Sequence, residues 1–170
     1  GGPDITVTEF TNVDAAIHAP QTLIRDFTYS ESERPIVAQI YGHTPELFYK
    51  AAHVVCELGF DGLDINMGCP AKNVAASGSG AALIRTPELA RQIVRETRRG
   101  IDDWVAGQSL DQLGLRQKLR ETVVAANLLR SGWARPPVRR SIPLSVKTRI
   151  GYDQIVIEDW IANLLEEKPV

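Results

Sequence analysis

The sequence has no long apolar run: its hydrophobic stretches are short and broken by charges, so no membrane span is expected. It has only two cysteines, Cys56 and Cys69, in different contexts, which gives neither a disulfide framework nor a metal-ligand spacing. The opening Gly1-Gly2-Pro3-Asp4 lacks a basic region followed by an apolar stretch. No secretory signal is therefore expected, and a reducing cytoplasm is the natural compartment. An excess of positive charge is also missing. A formal net charge of −2 argues against capture of nucleic acid by bulk electrostatics. Basic residues gather only locally, at Arg95, Arg98 and Arg99 and at Arg135, Arg139 and Arg140, so a nucleic-acid partner would need a patch.

What is present is a packed α/β pattern, with a hydrophobic content of 44% over the length of one domain. Strands are expected at Ile5 to Phe10, Pro35 to Tyr41, Gly62 to Met67 and Pro143 to Ile150. Thr44-Pro45-Glu46 and Thr86-Pro87-Glu88 each place an N-cap, a proline at the first helical position and an acid in the first turn. The first helix carries Leu47, Ala51, Val55 and Leu58 on one stripe and ends at Gly59; the second is expected to close at Gly100. A further helix is expected from Ile155 to Glu167, and Pro169-Val170 would open a fifth strand.

Residues 101–142 exceed a minimal repeat. Leu115, Leu119 and Val123 predict a helix within Asp111 to Leu129, followed by a Gly/Pro/Arg-rich loop from Ser131 to Arg140. With this segment set aside as a helical insertion, the chain holds about four β/α units, roughly half of the ~250 residues a full barrel needs. The expected fold is thus a partial (β/α)8 TIM barrel over residues 1–170. A flavodoxin-like sheet is the alternative.

Strand alternation points to a site. Ser145, Lys147 and Arg149 share one face of their strand, Asp64 and Asn66 share one face of theirs, and Gln39 lies near the end of a third. A buried parallel strand is ordinarily apolar on both faces. Polar groups at C-terminal strand ends fall where barrel active sites are built, although a polar barrel mouth would read the same way. Directly after Asn66, Met67-Gly68-Cys69-Pro70 sets a thiol in a tight strand-end turn. Such a thiol serves as a general acid, or as a nucleophile if a neighbour deprotonates it. Cys56, inside a helix, reads as a small buried hydrophobe. The glycine- and serine-rich loop from Ala76 to Ala82 lacks the Walker lysine and the dinucleotide fingerprint; it reads as a flexible turn or as a weak backbone cradle.

The run Asp64-Ile65-Asn66-Met67-Gly68-Cys69-Pro70, the following Ser-Gly-Ser-Gly-Ala-Ala-Leu and the later Ser145-Val146-Lys147-Thr148-Arg149-Ile150-Gly151 resemble the tRNA-dihydrouridine synthases, particularly their bacterial B-type branch. Thr8-Glu9-Phe10 and Pro35 to Ile40 fit the family's earlier strands in the same order. The resemblance implies FMN-dependent reduction of uridine in tRNA, with NADPH as reductant. It implies that Gln39 and Lys147 contact the flavin, Asn66 the uracil edge and Arg149 the substrate or RNA backbone, while Cys69 protonates C5. It also implies missing parts: a first strand with a proline-rich flavin contact, a histidine motif, phosphate-binding loops and a helical tRNA-gripping domain. This piece alone is therefore expected to be inactive and to bind FMN weakly or not at all. Related flavin barrels of the dihydroorotate and dihydropyrimidine dehydrogenase type, and a non-catalytic RNA-binding remnant, are the alternatives.

Overall fold

The computed structural model describes residues 4–131, 138–167 and 169. Its elements are β1 (Thr6–Val7), β2 (Thr11–Asn12), α1 (Val13–His18), α2 (Pro20–Phe27), β3 (Ile36–Tyr41), α3 (Pro45–Glu57), β4 (Gly62–Met67), α4 (Lys72–Ala76), α5 (Pro87–Val105), α6 (Gln117–Ser131), β5 (Leu144–Thr148) and α7 (Ile157–Leu165). Short 3-10 turns at Glu31–Glu33, Gly80–Arg85 and Leu110–Leu113 join them. Among the described residues no helix is long and apolar enough to cross a membrane.

The strands form one parallel sheet in the order β1-β3-β4-β5, with β2 extending the pairing along β3. Neighbours in space are neighbours in sequence. The helices that follow β3 and β4, α3 and α5, pack against each other, as crossovers stepping the same way along a curled sheet require. The burial of β3 records this: Ile36, Ala38 and Ile40 are buried under helices, while Val37, Gln39 and Tyr41 on the other face are half-buried. A doubly wound sheet would cover both faces. The chain is therefore a half-barrel of the (β/α)8 type.

Several expectations change. The strand expected from Ile5 to Phe10 is broken. Val7 pairs with Val37 and Thr11 with Ile40, so one extra residue on the outer strand makes a bulge. The Thr8 hydroxyl fills the gap by accepting the Gln39 backbone N–H at 3.0 Å. The stretch after it holds α1 and α2, which the strand pattern did not predict. Asn12 caps α1 by accepting from the amides of Asp14 and Ala15, and Val13, Ala16, Ile17, Leu23 and Phe27 turn inward.

Gly100 does not close the second predicted helix, because α5 runs on to Val105. A Cβ on Gly100 would stand 2.5 Å from the Tyr49 carbonyl oxygen and 2.9 Å from the Ala52 Cβ. The glycine serves packing against α3, so its absence of side chain, and not a left-handed turn, explains it. Gly59, with φ 77°, does end α3 as expected. Thr44 and Thr86 occupy the N-cap positions, but neither side chain makes a capping bond.

Within the long connection, the helix starts later than expected, at Gln117, after a 3-10 turn ended by Gly114. Leu115, Leu119 and Val123 are buried as predicted, and full burial of such a side chain stabilises by about 1.5–3 kcal/mol. At the next helical step Asn127 donates to the Glu57 carbonyl at 2.8 Å, and Arg130 donates to that of Leu58 at 2.6 Å. Helix α6 is thereby fastened to the end of α3, ahead of β4. It lies at the N-terminal end of the strands, away from Asn66. The loop expected from Ser131 to Arg140, and Val170 of the expected fifth strand, fall largely outside the described residues.

Candidate active site

Register brings the polar strand residues into two rows. Gln39, Asp64 and Ser145 are direct neighbours across β3, β4 and β5, and Asn66 lies opposite Lys147 one step further along. The two-residue strand period keeps all of them on the face away from the helices. They are joined by hydrogen bonds. Ser145 Oγ donates to Asp64 Oδ1 at 2.6 Å, Gln39 Nε2 donates to Asp64 Oδ2 at 2.8 Å, and Asn66 Nδ2 donates to Gln39 Oε1 at 3.1 Å. Asp64 and Asn66 are buried, Gln39 and Ser145 half-buried.

The chain of bonds ends on the cysteine turn. Asn66 Oδ1 accepts from the backbone N–H groups of Gly68 at 3.1 Å and Cys69 at 3.0 Å, an asparagine-closed turn at the strand end. Gly68 lets β5 pass close by: a Cβ there would lie 3.1 Å from the Thr148 carbonyl carbon and 3.2 Å from Arg149 Cγ. Arg149 thus leans against the cysteine turn. Thr148 itself donates to the Met67 carbonyl at 3.3 Å and accepts from the Trp160 indole at 2.8 Å, which ties α7 to the same corner.

The glycine- and serine-rich loop packs behind Cys69. Gly80 is left-handed at φ +60°, and a Cβ on it would stand 2.7 Å from the Cys69 carbonyl oxygen. That oxygen accepts from the Ala81 amide at 3.0 Å. Ser79 is fully buried and accepts from Ser77 Oγ at 3.0 Å. The amides of Ser77, Gly78, Ser79, Ala81 and Ala82 are all bonded to carbonyls within this corner, so the loop's close approach fixes the cysteine backbone. Cys69 remains half-buried, with Lys147 and Arg149 exposed beside it. Cys56, by contrast, is buried, and burial pushes its thiol up to about 12.

All five residues singled out in the sequence, Gln39, Asn66, Cys69, Lys147 and Arg149, therefore meet at one end of the half-barrel. Asp64 and Ser145 were visible only as polar strand positions, and the structure makes them the junction of the network. Their signal was the alternation itself.

The local basic clusters are largely consumed internally. Arg95 pairs with Glu167 at 2.6 Å, Arg99 with Glu96 while lying over the Tyr49 ring, and Arg140 with Asp61 at 2.8 Å. Arg139 donates to the carbonyls of Trp104 and Gln108, and Arg135 lies outside the described residues. At the cysteine corner, Lys72, Lys147 and Arg149 have no acidic partner among the described residues.

Residues 1–130 match the family model described as "Dihydrouridine synthase (Dus)". The chain is 32% identical over 170 residues to "Probable tRNA-dihydrouridine synthase 2" of Bacillus subtilis, covering 98% of this chain and 40% of that protein. It is 32% identical over 168 residues to "Probable tRNA-dihydrouridine synthase" of Staphylococcus aureus (strain COL), covering 97% of this chain and 39% of that one. A protein of the same description from Staphylococcus epidermidis is 31% identical over 168 residues. The chain spans about two-fifths of the length of these curated relatives. On the family match and these likenesses, which extend across both the cysteine turn and the strand bearing Lys147, the chain belongs to the dihydrouridine synthase family.

Proposed function

We propose that the protein carrying this chain reduces the C5–C6 double bond of a uridine in tRNA, with FMN as cofactor and NADPH as reductant. The observation that supports it best is the convergence of a half-buried thiol with Gln39, Asn66 and Lys147 at the strand ends. That donor set fits a flavin. Gln39 and Asn66 each retain one side-chain N–H beyond the network, and Lys147 adds an ammonium. The pyrimidine end of an isoalloxazine ring presents acceptors, and a cation beside it stabilises negative charge there. Gln39 and Lys147 would hold the ring. FMN, when bound, would supply the hydride that the reduction requires, with NADPH as its reductant.

The chain's own residues supply the rest. Asn66 Oδ1 is already occupied by two amides, so what Asn66 offers the uracil is its spare N–H, to a carbonyl oxygen. Cys69 gives its thiol proton to C5 as the hydride reaches C6, and the partly open turn lets solvent return that proton. The base has to leave its stack to reach a thiol set this close to the strand ends. Arg149, leaning on Gly68, faces substrate phosphate or ribose. A tRNA substrate implies the cytoplasm.

Cys69→Ala in the full-length protein tests this. Flavin reduction by NADPH needs no substrate proton donor and is expected to continue at the parent rate. Dihydrouridine formation is expected to fall about 10²–10⁴-fold, the usual worth of a positioned general acid. Dihydrouridine made at the parent rate would remove Cys69 from the role, and reduction of free pyrimidines in preference to tRNA would overturn the substrate.

A further inference from the structure

We propose that Asp64 is a positioning residue that acts as a hydrogen-bond acceptor, not as a negative charge, to hold the Gln39 and Asn66 amides in one orientation. A carboxylate only accepts, so the Gln39 end facing Asp64 Oδ2 is its nitrogen and the end facing Asn66 is its oxygen. Asn66 must then turn its nitrogen to Gln39 and its oxygen to the cysteine turn. The backbone amides of Gly68 and Cys69 only donate, and they demand the same orientation from the other end. Flipping either amide would set donor against donor and acceptor against acceptor at both of its contacts. The direction of the whole chain is therefore fixed.

The consequence for a ligand is chemical. With their oxygens turned into the network, Gln39 and Asn66 keep one N–H each, which suits a ligand edge built of acceptors, such as a carbonyl-bearing heterocycle. Without Asp64 the Gln39 nitrogen loses its acceptor and only the single bond from Asn66 Nδ2 still holds the Gln39 amide, while Asn66 keeps the Cys69 turn. The loss should fall on ligand affinity.

Ser145 makes the acceptor role separable from charge. In Asp64→Asn, the new carbonyl can face Gln39 if the new NH₂ faces Ser145, whose hydroxyl donates in the parent and can turn to accept. In Ser145→Ala, Asp64 still accepts from Gln39. Only in the double variant does the introduced side-chain amide have no acceptor, and in Asp64→Ala the acceptor for Gln39 is gone.

The inference rests on the flavin reading, so the test is a titration of each apoprotein, in full-length form, with FMN followed by flavin fluorescence. Thermal unfolding of the same apoproteins is measured alongside. Asp64→Asn and Ser145→Ala are expected within about threefold of the parent dissociation constant. Asp64→Ala is expected to be weakened about tenfold or more, the scale of one unmet buried polar group, whereas Asp64→Asn/Ser145→Ala keeps a carbonyl for Gln39 and is expected to lose thermal stability rather than affinity. If Asp64→Asn binds as weakly as Asp64→Ala, charge is what matters and the proposal fails. It fails equally if Asp64→Ala binds as tightly as the parent. Should the parent take up no FMN, the flavin reading falls; the unfolding temperatures then decide. A double variant less stable than the two single variants add up to upholds the Asp64–Ser145 coupling, and simple additivity overturns it.

Discussion

Gly100→Ala sets two known effects against each other. In a helix interior, alanine is favoured over glycine by about 0.8–1 kcal/mol, so local propensity predicts a more stable protein. At this position the added Cβ would lie 2.5 Å from the Tyr49 carbonyl oxygen and 2.9 Å from Ala52 Cβ. The nearer atom belongs to the α3 backbone and cannot turn away, so α3 and α5 must separate. Overpacking of a close contact costs about 1–3 kcal/mol, and a backbone clash belongs at the upper end. The net expectation is a loss of about 2 kcal/mol, or roughly 4–8 °C in melting temperature for a domain of this size. Circular dichroism melts of parent and variant measure it. Replacing Ala52 with glycine as well should recover little, because the carbonyl remains. A variant as stable as the parent, or more so, would refute the packing explanation and return Gly100 to a matter of helix propensity.

Two further predictions concern titratable groups. Burial holds the His53 imidazole below its ordinary value, with the Tyr49 carbonyl accepting from Nδ1 at 3.0 Å and Asp103 and Arg139 nearby. The unfolded chain then binds the extra proton first, so stability should be complete above about pH 6.5 and fall as pH drops below it. His53→Leu should remove that part of the slope, and an unchanged slope in pH melts would discount His53. Iodoacetamide should modify Cys69 in the native protein but Cys56 only after unfolding, since burial pushes the Cys56 thiol up to about 12. Peptide mapping that finds Cys56 labelled first would contradict its burial.

What could be read from the sequence was what depends on near neighbours. Alternation in Ile36–Tyr41 and Gly62–Met67, and the Thr-Pro-Glu helix starts, gave strands and helices close to those observed. Gly100 misled because its reason lies on another helix, at Tyr49, which no local pattern contains. The bulge between Val7 and Thr11 is a mismatch of register with β3 and has no signature in its own segment. Asn12 and the spacing of Val13, Ala16 and Ile17 suit α1, but no helix is expected there, because six residues give too little periodicity to stand out. At the site, residue types and their common face were legible. The role of Asp64 was not, because it depends on Gln39 and Ser145 arriving in register from strands 25 and 81 residues away.

Net charge misleads in a similar way, because it counts charges without saying which are already met. The formal value of −2 disfavours a polyanion partner, and the arginine clusters count against that only if their charge is free. In the structure Arg91 and Arg95 close on Glu166 and Glu167, Arg34 and Arg140 close on Asp61, and Arg130 reaches Glu31. Each of these pairs has at least one half-buried partner, and each withdraws its cation from any other partner. Among the described residues without such a pair, Arg98 lies on α5, Arg116 just before α6 and Lys118 in its first turn, while Arg139 is bound to the Trp104 and Gln108 carbonyls. Lys72, Lys147 and Arg149 belong instead to the cysteine loop and the strand beside it. Lys72 starts the short helix after Cys69-Pro70, and Arg149 lies against Gly68. Unmatched positive charge is therefore present where the proposed chemistry occurs. Beyond a Debye length of about 8 Å other surface charges are largely screened, so a nearby phosphate would respond mainly to this local group. On the proposed reading, this part of the chain attracts RNA through the same corner that presents the thiol, and the chain's formal charge of −2 is no obstacle to it.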